Sequence, residues 1–150
     1  MTTALETQHT AASGQLATFR LDGDLYGVEV EHVQEVLRSQ KLTRVPLAPP
    51  AVAGLINLRG QVVTAIELRE RLGRPPRPED TDAVVIVVRL HGEAVSLLVD
   101  SIADVVDVAA KDFEAPPDTL DGQARDLLRG AYKLDGQLLL ALDVHKAVSA

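Results

Sequence analysis

The feature that most constrains this chain is a segment that occurs twice. Residues 54 to 72 read GLINLRGQVVTAIELRERL, and residues 130 to 148 read GAYKLDGQLLLALDVHKAV, at a constant offset of 76. Gly54/Gly130, Leu58/Leu134, Gly60/Gly136, Gln61/Gln137 and Ala65/Ala141 are identities, while Val62/Leu138, Ile66/Leu142 and Glu67/Asp143 keep the residue type. By period, each copy is an apolar strand, a tight turn, a second apolar strand and an acidic helix start. In the first copy these are Leu55 to Leu58, Arg59-Gly60, Val62 to Ile66, and Glu67 to Leu72 with Gly73 as the stop. A second repeat, at an offset of 69, relates Arg20 through Val36 to Arg89 through Val105, with Val30/Val99, Glu31/Asp100, Val33/Ile102, Glu35/Asp104 and Val36/Val105 in register. Solenoid units span only about 20 to 50 residues. The pattern therefore predicts duplication inside one fold.

Between the repeats, Ala17, Phe19 and Leu21 alternate with polar residues, Asp22-Gly23 makes a turn, and Tyr26, Val28 and Val30 alternate on the return. From Glu31 the spacing changes: Val33, Val36 and Leu37 fall at i, i+3 and i+4, which predicts a short amphipathic helix over Glu31 to Arg38. Lys41 to Val45 reads as a strand ending at Pro46, and Pro49-Pro50 as the start of a helical turn over Ala51 to Ala53. The second half gives strands over Ala83 to Leu90 and Ala94 to Val99 about a His91-Gly92 turn, then a short apolar segment with Ile102, Val105 and Val106. Ala109 to Asp126 reads as a long loop with one helical turn near Arg125, and Asp143 as the N-cap of a final helix. Residues 1 to 15 are expected to be a disordered tail. Residues 16 to 150 form one domain, its halves (about 16 to 73 and 82 to 150) joined by a proline-rich linker over about 74 to 81. Aromatic residues make up only 3% of the chain, so Val, Leu, Ile and Ala must fill the core, which suits strands buried on both faces. Nine or ten short strands against two or three short helices predict an all-β fold, and two small closed barrels satisfy that count.

The chemistry is read mostly by exclusion. A net charge of −7 argues against nucleic acid as a partner, since phosphate binding rests on surplus Lys and Arg. The arginines at 59, 69, 71, 74 and 77 read as a solvated face rather than a basic patch. There is no cysteine, no Lys or Arg before Arg20 to begin a signal peptide, and no apolar run long enough to span a bilayer, so a cytoplasmic protein is expected. His9, His32, His91 and His145 share no ligand spacing, and no phosphate-binding loop or nucleophile motif occurs. No enzyme, metal or cofactor is expected, which leaves binding.

From YGVEVEHVQEVL through VAGLINLRGQVV, VSLLVDSIADVV and the closing hairpin, the chain resembles the CheW family, the scaffold that links bacterial chemoreceptors to their histidine kinase; G-L-I-N-L-R-G is the most specific string. The resemblance implies two intertwined five-stranded barrels, no catalysis, and two partners: the chemoreceptor's cytoplasmic helical tip and the kinase's regulatory domain, itself CheW-like. It also implies a place beside receptor arrays at the inner membrane. Thr64 stands where proline is common, Glu67 where aspartate is usual, and Ser96 where some relatives have glycine. Glu35 and Arg59 match an acidic and a basic position that resemble the family's receptor-coupling pair, with an ion pair between the expected helix and the Asn57 to Gly60 turn as the structural alternative. Gly54, Asn57 and Gly60 belong to the same string, yet backbone demands explain both glycines and loop satisfaction explains Asn57. The resemblance puts Val30, Val33, Val36, Val99, Ile102 and Val105 around a groove between the barrels; the alternative is ordinary core. Competing functions are a CheW-like scaffold for a non-chemotactic kinase and a small-ligand-binding barrel.

Overall fold

Three hairpins turn on residue pairs with positive φ at both positions: Asp22-Gly23 (51°, 87°), Arg59-Gly60 (51°, 87°) and His91-Gly92 (50°, 82°). This is the backbone of a two-residue type I′ turn, whose twist matches that of the strands it joins. The computed structural model describes residues 14–78, 81–117 and 122–149. The first half runs β1 (Gly14–Leu21), β2 (Asp24–Glu29), a 3-10 turn (Val30–His32), β3 (Val33–Leu37), β4 (Val52–Leu58), β5 (Gln61–Glu67) and α1 (Leu68–Arg71). The second runs β6 (Val84–Leu90), β7 (Glu93–Val99), β8 (Ser101–Val108), a 3-10 turn (Ala110–Asp112), β9 (Phe113–Glu114), α2 (Gly122–Asp126), β10 (Leu128–Leu134), β11 (Gln137–Leu142) and α3 (Val144–Val148). The Glu67 carboxylate accepts from the Arg69 amide at 3.3 Å and Asp143 from the Lys146 amide at 3.2 Å, so both repeated acids cap their helices.

The halves exchange strands. One sheet has the order β8-β1-β2-β11-β10-β9 and the other β3-β6-β7-β5-β4. In each, a hairpin from one half meets a hairpin from the other along a parallel seam. Tyr26 lies opposite Leu140 in the first sheet and Val95 opposite Thr64 in the second, positions related by the two sequence offsets. The expected intertwining is thus present, as two mixed sheets of six and five strands. The sixth strand, two-residue β9, pairs Glu114 with Ala131; in the other sheet the matching place holds a single bridge, Thr43 to Leu55.

The core follows from this exchange. Phe19, Tyr26 and Leu140 of one sheet pack with Ile86, Leu97 and Ile66 of the other, forming the cluster between the sheets. A second cluster, including Ile56, Val63, Val85 and Leu98, lies on the five-stranded sheet; a third, including Leu16, Leu25, Tyr132 and Leu139, lies on the six-stranded sheet. Successive residues of β7 and β11 alternate between clusters: Leu97 and Val99 in the shared one and Leu98 in the second, Leu140 and Leu142 in the shared one and Leu139 and Ala141 in the third. Strands buried on both faces read as continuous apolar runs. Ser96 is fully buried, and its hydroxyl has no hydrogen-bond partner. That polar group costs about 1 kcal/mol or more.

Several expectations need correction. The segment Glu31 to Arg38 is no helix: after the 3-10 turn, β3 pairs with β6, and a bulge between Val33 and Glu35 produces the spacing that resembled a helical stripe. The segment around Ile102 and Val105 is likewise strand, with its own bulge against Ala17 to Phe19 of β1. β-branched valines favour the extended backbone wherever an open strand edge accepts them. Lys41 to Val45 contributes only the Thr43 bridge, and residues 50 and 51 form a turn before β4 rather than a longer helical one. The loop after Ala109 also holds β9. β1 begins at Gly14, two residues earlier than expected, and residues 1 to 13 lie outside the described residues.

Candidate functional site

The Arg59-Gly60 turn is built by its neighbours. The Asn57 side-chain oxygen accepts from the Gly60 amide at 2.9 Å, and the positive φ at Gly60 meets no steric neighbour. The turn therefore projects Arg59 from the tip of the β4–β5 hairpin. Its guanidinium donates to the Glu35 carboxylate on β3, although β3 and β4 are the two opposite outer strands of the sheet. The five-stranded sheet is thus curled enough for one side-chain bond to span its open side. Gln34 donates to Glu35 at 3.3 Å and accepts from Arg89 at 2.7 Å, extending the chain of polar contacts along β3. The hydrogen bond from Arg59, then that from Gln34, holds the Glu35 carboxyl below the usual carboxylate range.

A second polar cluster lies where the chain crosses from one sheet to the other between β7 and β8. Asp100 is the single residue of that crossing. Arg69, only 7% exposed, forks onto both its carboxylate oxygens, Nε to Oδ1 at 3.0 Å and Nη2 to Oδ2 at 2.6 Å. Asp100 also accepts from Arg77 Nε at 3.1 Å and from the Asp22 amide at 2.8 Å. Arg77 reaches back to Glu67 at 2.7 and 3.2 Å, and Arg74 binds Asp24 and donates to the Tyr26 hydroxyl at 3.1 Å. Arg69 also donates to the Pro75 carbonyl at 2.8 Å. Burial pushes the Asp100 carboxyl up, but the hydrogen bonds from Arg69 and the Asp22 amide and the charges of Arg69 and Arg77 outweigh it, giving a pKa of about 2.

The arginine stretch is therefore neither a basic patch nor a solvated face. Arg69, Arg74 and Arg77 bind carboxylates, and Arg71 donates to the Ala147 and Lys146 carbonyls at 3.0 and 2.7 Å. The expected linker is pinned to both sheets by Arg74 and Arg77. Sequence reading missed this cluster because its members are scattered along the chain from Asp22 to Asp100; the one available signal was an acid, Asp100, ending an otherwise apolar strand.

The remaining site residues divide. Val36 on β3 is 46% exposed, and Ile102 and Val105 on β8 are 42% and 58% exposed, on the outer strands of two different sheets. Val36 and Val105 are equivalents in the repeat. Val30 is half-buried, and Val33 packs against the central cluster. Val99 is fully buried in that cluster and offers nothing to a partner. Gly54 is also buried: a Cβ there would lie 2.5 Å from the Thr43 carbonyl oxygen, so its role is to admit the neighbouring backbone. Glu35 and Arg59 are brought together, and Asn57 and Gly60 support the turn that carries Arg59. Among the described residues no group of three or more His or acidic side chains is arranged to hold a metal, and no helix is long and apolar enough to cross a membrane.

Comparison with known proteins gives one consistent result. The model of the CheW-like domain matches residues 15–150. The chemotaxis protein CheW of Rhizobium meliloti (strain 1021) is 30% identical over 90% of this chain and 87% of its own length. That of Treponema pallidum (strain Nichols) is 29% identical over 91% of this chain and 82% of its own. The crystal structure of scaffolding protein TtCheW from Thermoanaerobacter tengcongensis superposes with a TM-score of 0.80 at 28% identity, covering 92% of this chain and 94% of that one.

Proposed function

This chain belongs to the CheW-like domain family, and we propose that it is a non-enzymatic adaptor coupling chemoreceptors to a histidine kinase in chemotaxis signalling. In this role it binds the helical cytoplasmic tip of a receptor and the kinase's CheW-like regulatory domain, in the cytoplasm beside receptor arrays. The observation that carries the reading is the apolar exposure of two outer strands: among the described residues Val36 on β3 and Ile102 and Val105 on β8 are exposed, and the other exposed strand aliphatics, Val62 and Leu138, lie beside hairpin turns on β5 and β11. An amphipathic receptor helix draws its docking energy from such aliphatic side chains. Glu35 precedes Val36 on β3 and takes the Arg59 guanidinium from the β4–β5 turn, which puts one ion pair on the same outer strand as Val36.

Because Val36 and Val105 are exposed, a carboxylate at either place stays hydrated and leaves the fold intact. Val36→Glu and Val105→Glu are expected to keep the circular dichroism of the parent and to weaken binding of a receptor helical-hairpin fragment about tenfold or more. The parent protein is expected to change kinase autophosphorylation only when receptor is present. Folded variants that bind with unchanged affinity would remove these strands from the docking site, and phosphate transferred onto this chain without a kinase would overturn the adaptor reading.

A further inference from the structure

The two sheet crossings are equivalent in the repeat but held by different means. Between β2 and β3 the crossing is a 3-10 turn closed by its own backbone bond, from the Val33 amide to the Val30 carbonyl. Between β7 and β8 the matching residues form no such turn, and Ser101 opens β8 directly after Asp100. What holds the second crossing is contacts from other elements, most of them made by side chains. The Asp100 carboxylate takes the Arg69 fork, Arg77 and the Asp22 amide, while the Asp100 amide donates to the Arg20 carbonyl at 3.1 Å. These partners come from α1, from the segment after it, and from the β1–β2 turn and its flank. Three separate regions converge on the one residue from which β8 departs. β8 has β1 on one side only, and Ile102 and Val105 begin two and five residues beyond Asp100.

We infer that Arg69 and Arg77, acting through Asp100, are positioning residues that set the direction of β8 and so the presentation of Ile102 and Val105 to a docking partner. This rests on the adaptor reading above for the partner, but not for the geometry. Neither arginine touches the partner: Arg69 is buried, and its fork is spent on Asp100. Loss of the carboxylate charge releases β8 at its root while β3, closed by its backbone turn, keeps its place.

The test uses the full-length protein with Asp100→Asn, Arg69→Lys and the benchmark Val105→Glu, read by amide hydrogen exchange and by titration with a receptor helical-hairpin fragment. Asp100→Asn is expected to keep its circular dichroism, to speed exchange of the β8 amides bonded to β1 about tenfold or more, and to leave the β3 amides at parental rates. Its affinity for the fragment falls about fivefold or more. Arg69→Lys keeps the charge without the fork and falls between. Should Asp100→Asn not fold, Arg77→Gln removes one of the two guanidinium contacts and is read the same way. Unchanged β8 exchange in a folded variant overturns the inference, as does acceleration spread evenly over all strands. Faster β8 exchange with parental affinity, alongside a weakened Val105→Glu, also overturns it. If Val105→Glu itself binds normally, the docking reading fails, and the exchange contrast between β8 and β3 decides the positioning role by itself.

Discussion

Where the first copy of the repeated unit sets Arg59 against Glu35, the second has Asp135 and Asp104 at the matching positions, two acids that cannot pair. Where Arg69 is clamped on Asp100 beside Asp22, the matching residues are His145, Glu31 and His91. There the His145 ring lies 5.2 Å from that of His91 and 5.6 Å from that of His32. The backbones of the two copies nonetheless agree down to the register of their parallel seams. Turn glycines and alternating apolar residues common to both copies are therefore sufficient for the architecture, and the ion pairs are additions to it. A charge pair that the fold manages without in one copy calls for a different explanation in the other. That is the physical case for linking Glu35 and Arg59 to a partner.

The comparison is broken most severely at the shared glycines. Gly54 and Gly130 each admit a neighbouring segment, but the obstacles differ: the Thr43 carbonyl oxygen lies 2.5 Å from a Cβ at 54, while at 130 the obstacles are the Phe113 ring and the Glu114 carbonyl oxygen at 2.8 Å. A ring can swing aside, whereas the Thr43 backbone is fixed by its two bonds to Leu55 at 2.9 and 2.8 Å. Gly54→Ala is expected to cost about 3 kcal/mol in chemical denaturation, and Gly130→Ala less. Phe113→Ala should recover part of the Gly130→Ala loss. Equal losses at both glycines, with no recovery, would show that backbone and not the ring controls position 130.

Acid separates the two crossings. The Asp100 carboxyl loses its proton more readily in the folded protein, with a pKa of about 2 against 3.8 for the unperturbed group. Its contribution is therefore fully present above about pH 4 and is lost as the pH falls toward 2. Asp100→Asn removes that dependence. Melting followed from pH 5 to pH 2.5 should show the parent and Asp100→Asn converging as the pH drops, and a constant gap between them would mean that the carboxylate charge contributes nothing at this crossing.

These contrasts mark what the amino-acid order reveals by itself. The duplication, the hairpins and the two helix caps are carried by local period and turn chemistry, which need no knowledge of distant partners, whereas the strand exchange is expected from the family resemblance alone. β3 is misread as a helix because a bulge shifts the phase of Val33, Val36 and Leu37, and only the pairing with β6 reveals it. Val99 and Gly54 were counted with a binding surface because sequence distance cannot tell an outer strand from a core one. The Asp100 cluster was invisible for the same reason: Arg69, Arg77 and Asp22 reach it across separations of 31, 23 and 78 residues. Glu35 and Arg59 were legible as a pair through the family resemblance alone, and their contact across the open side of the curled sheet is a tertiary fact.

The mildest change sharpens the comparison furthest. Asp135→Arg would place a guanidinium in the turn of the second repeated hairpin, at the position equivalent to Arg59, with Asp104 the equivalent of Glu35. Both positions are exposed, so the new pair should alter stability by no more than about 0.5 kcal/mol. Arg59→Ala should likewise leave the melting temperature close to that of the parent, because the hairpin turn is already held by Gly60 and Asn57. Only Arg59→Ala is expected to weaken receptor-dependent kinase control, and Asp135→Arg cannot restore it, since the new charge sits on the other sheet. The measurement is a pair of melting curves beside a kinase assay with receptor present. If Arg59→Ala melts as low as a core truncation while the surviving folded protein still couples, the pair belongs to the fold and the asymmetry between the two copies has no bearing on function.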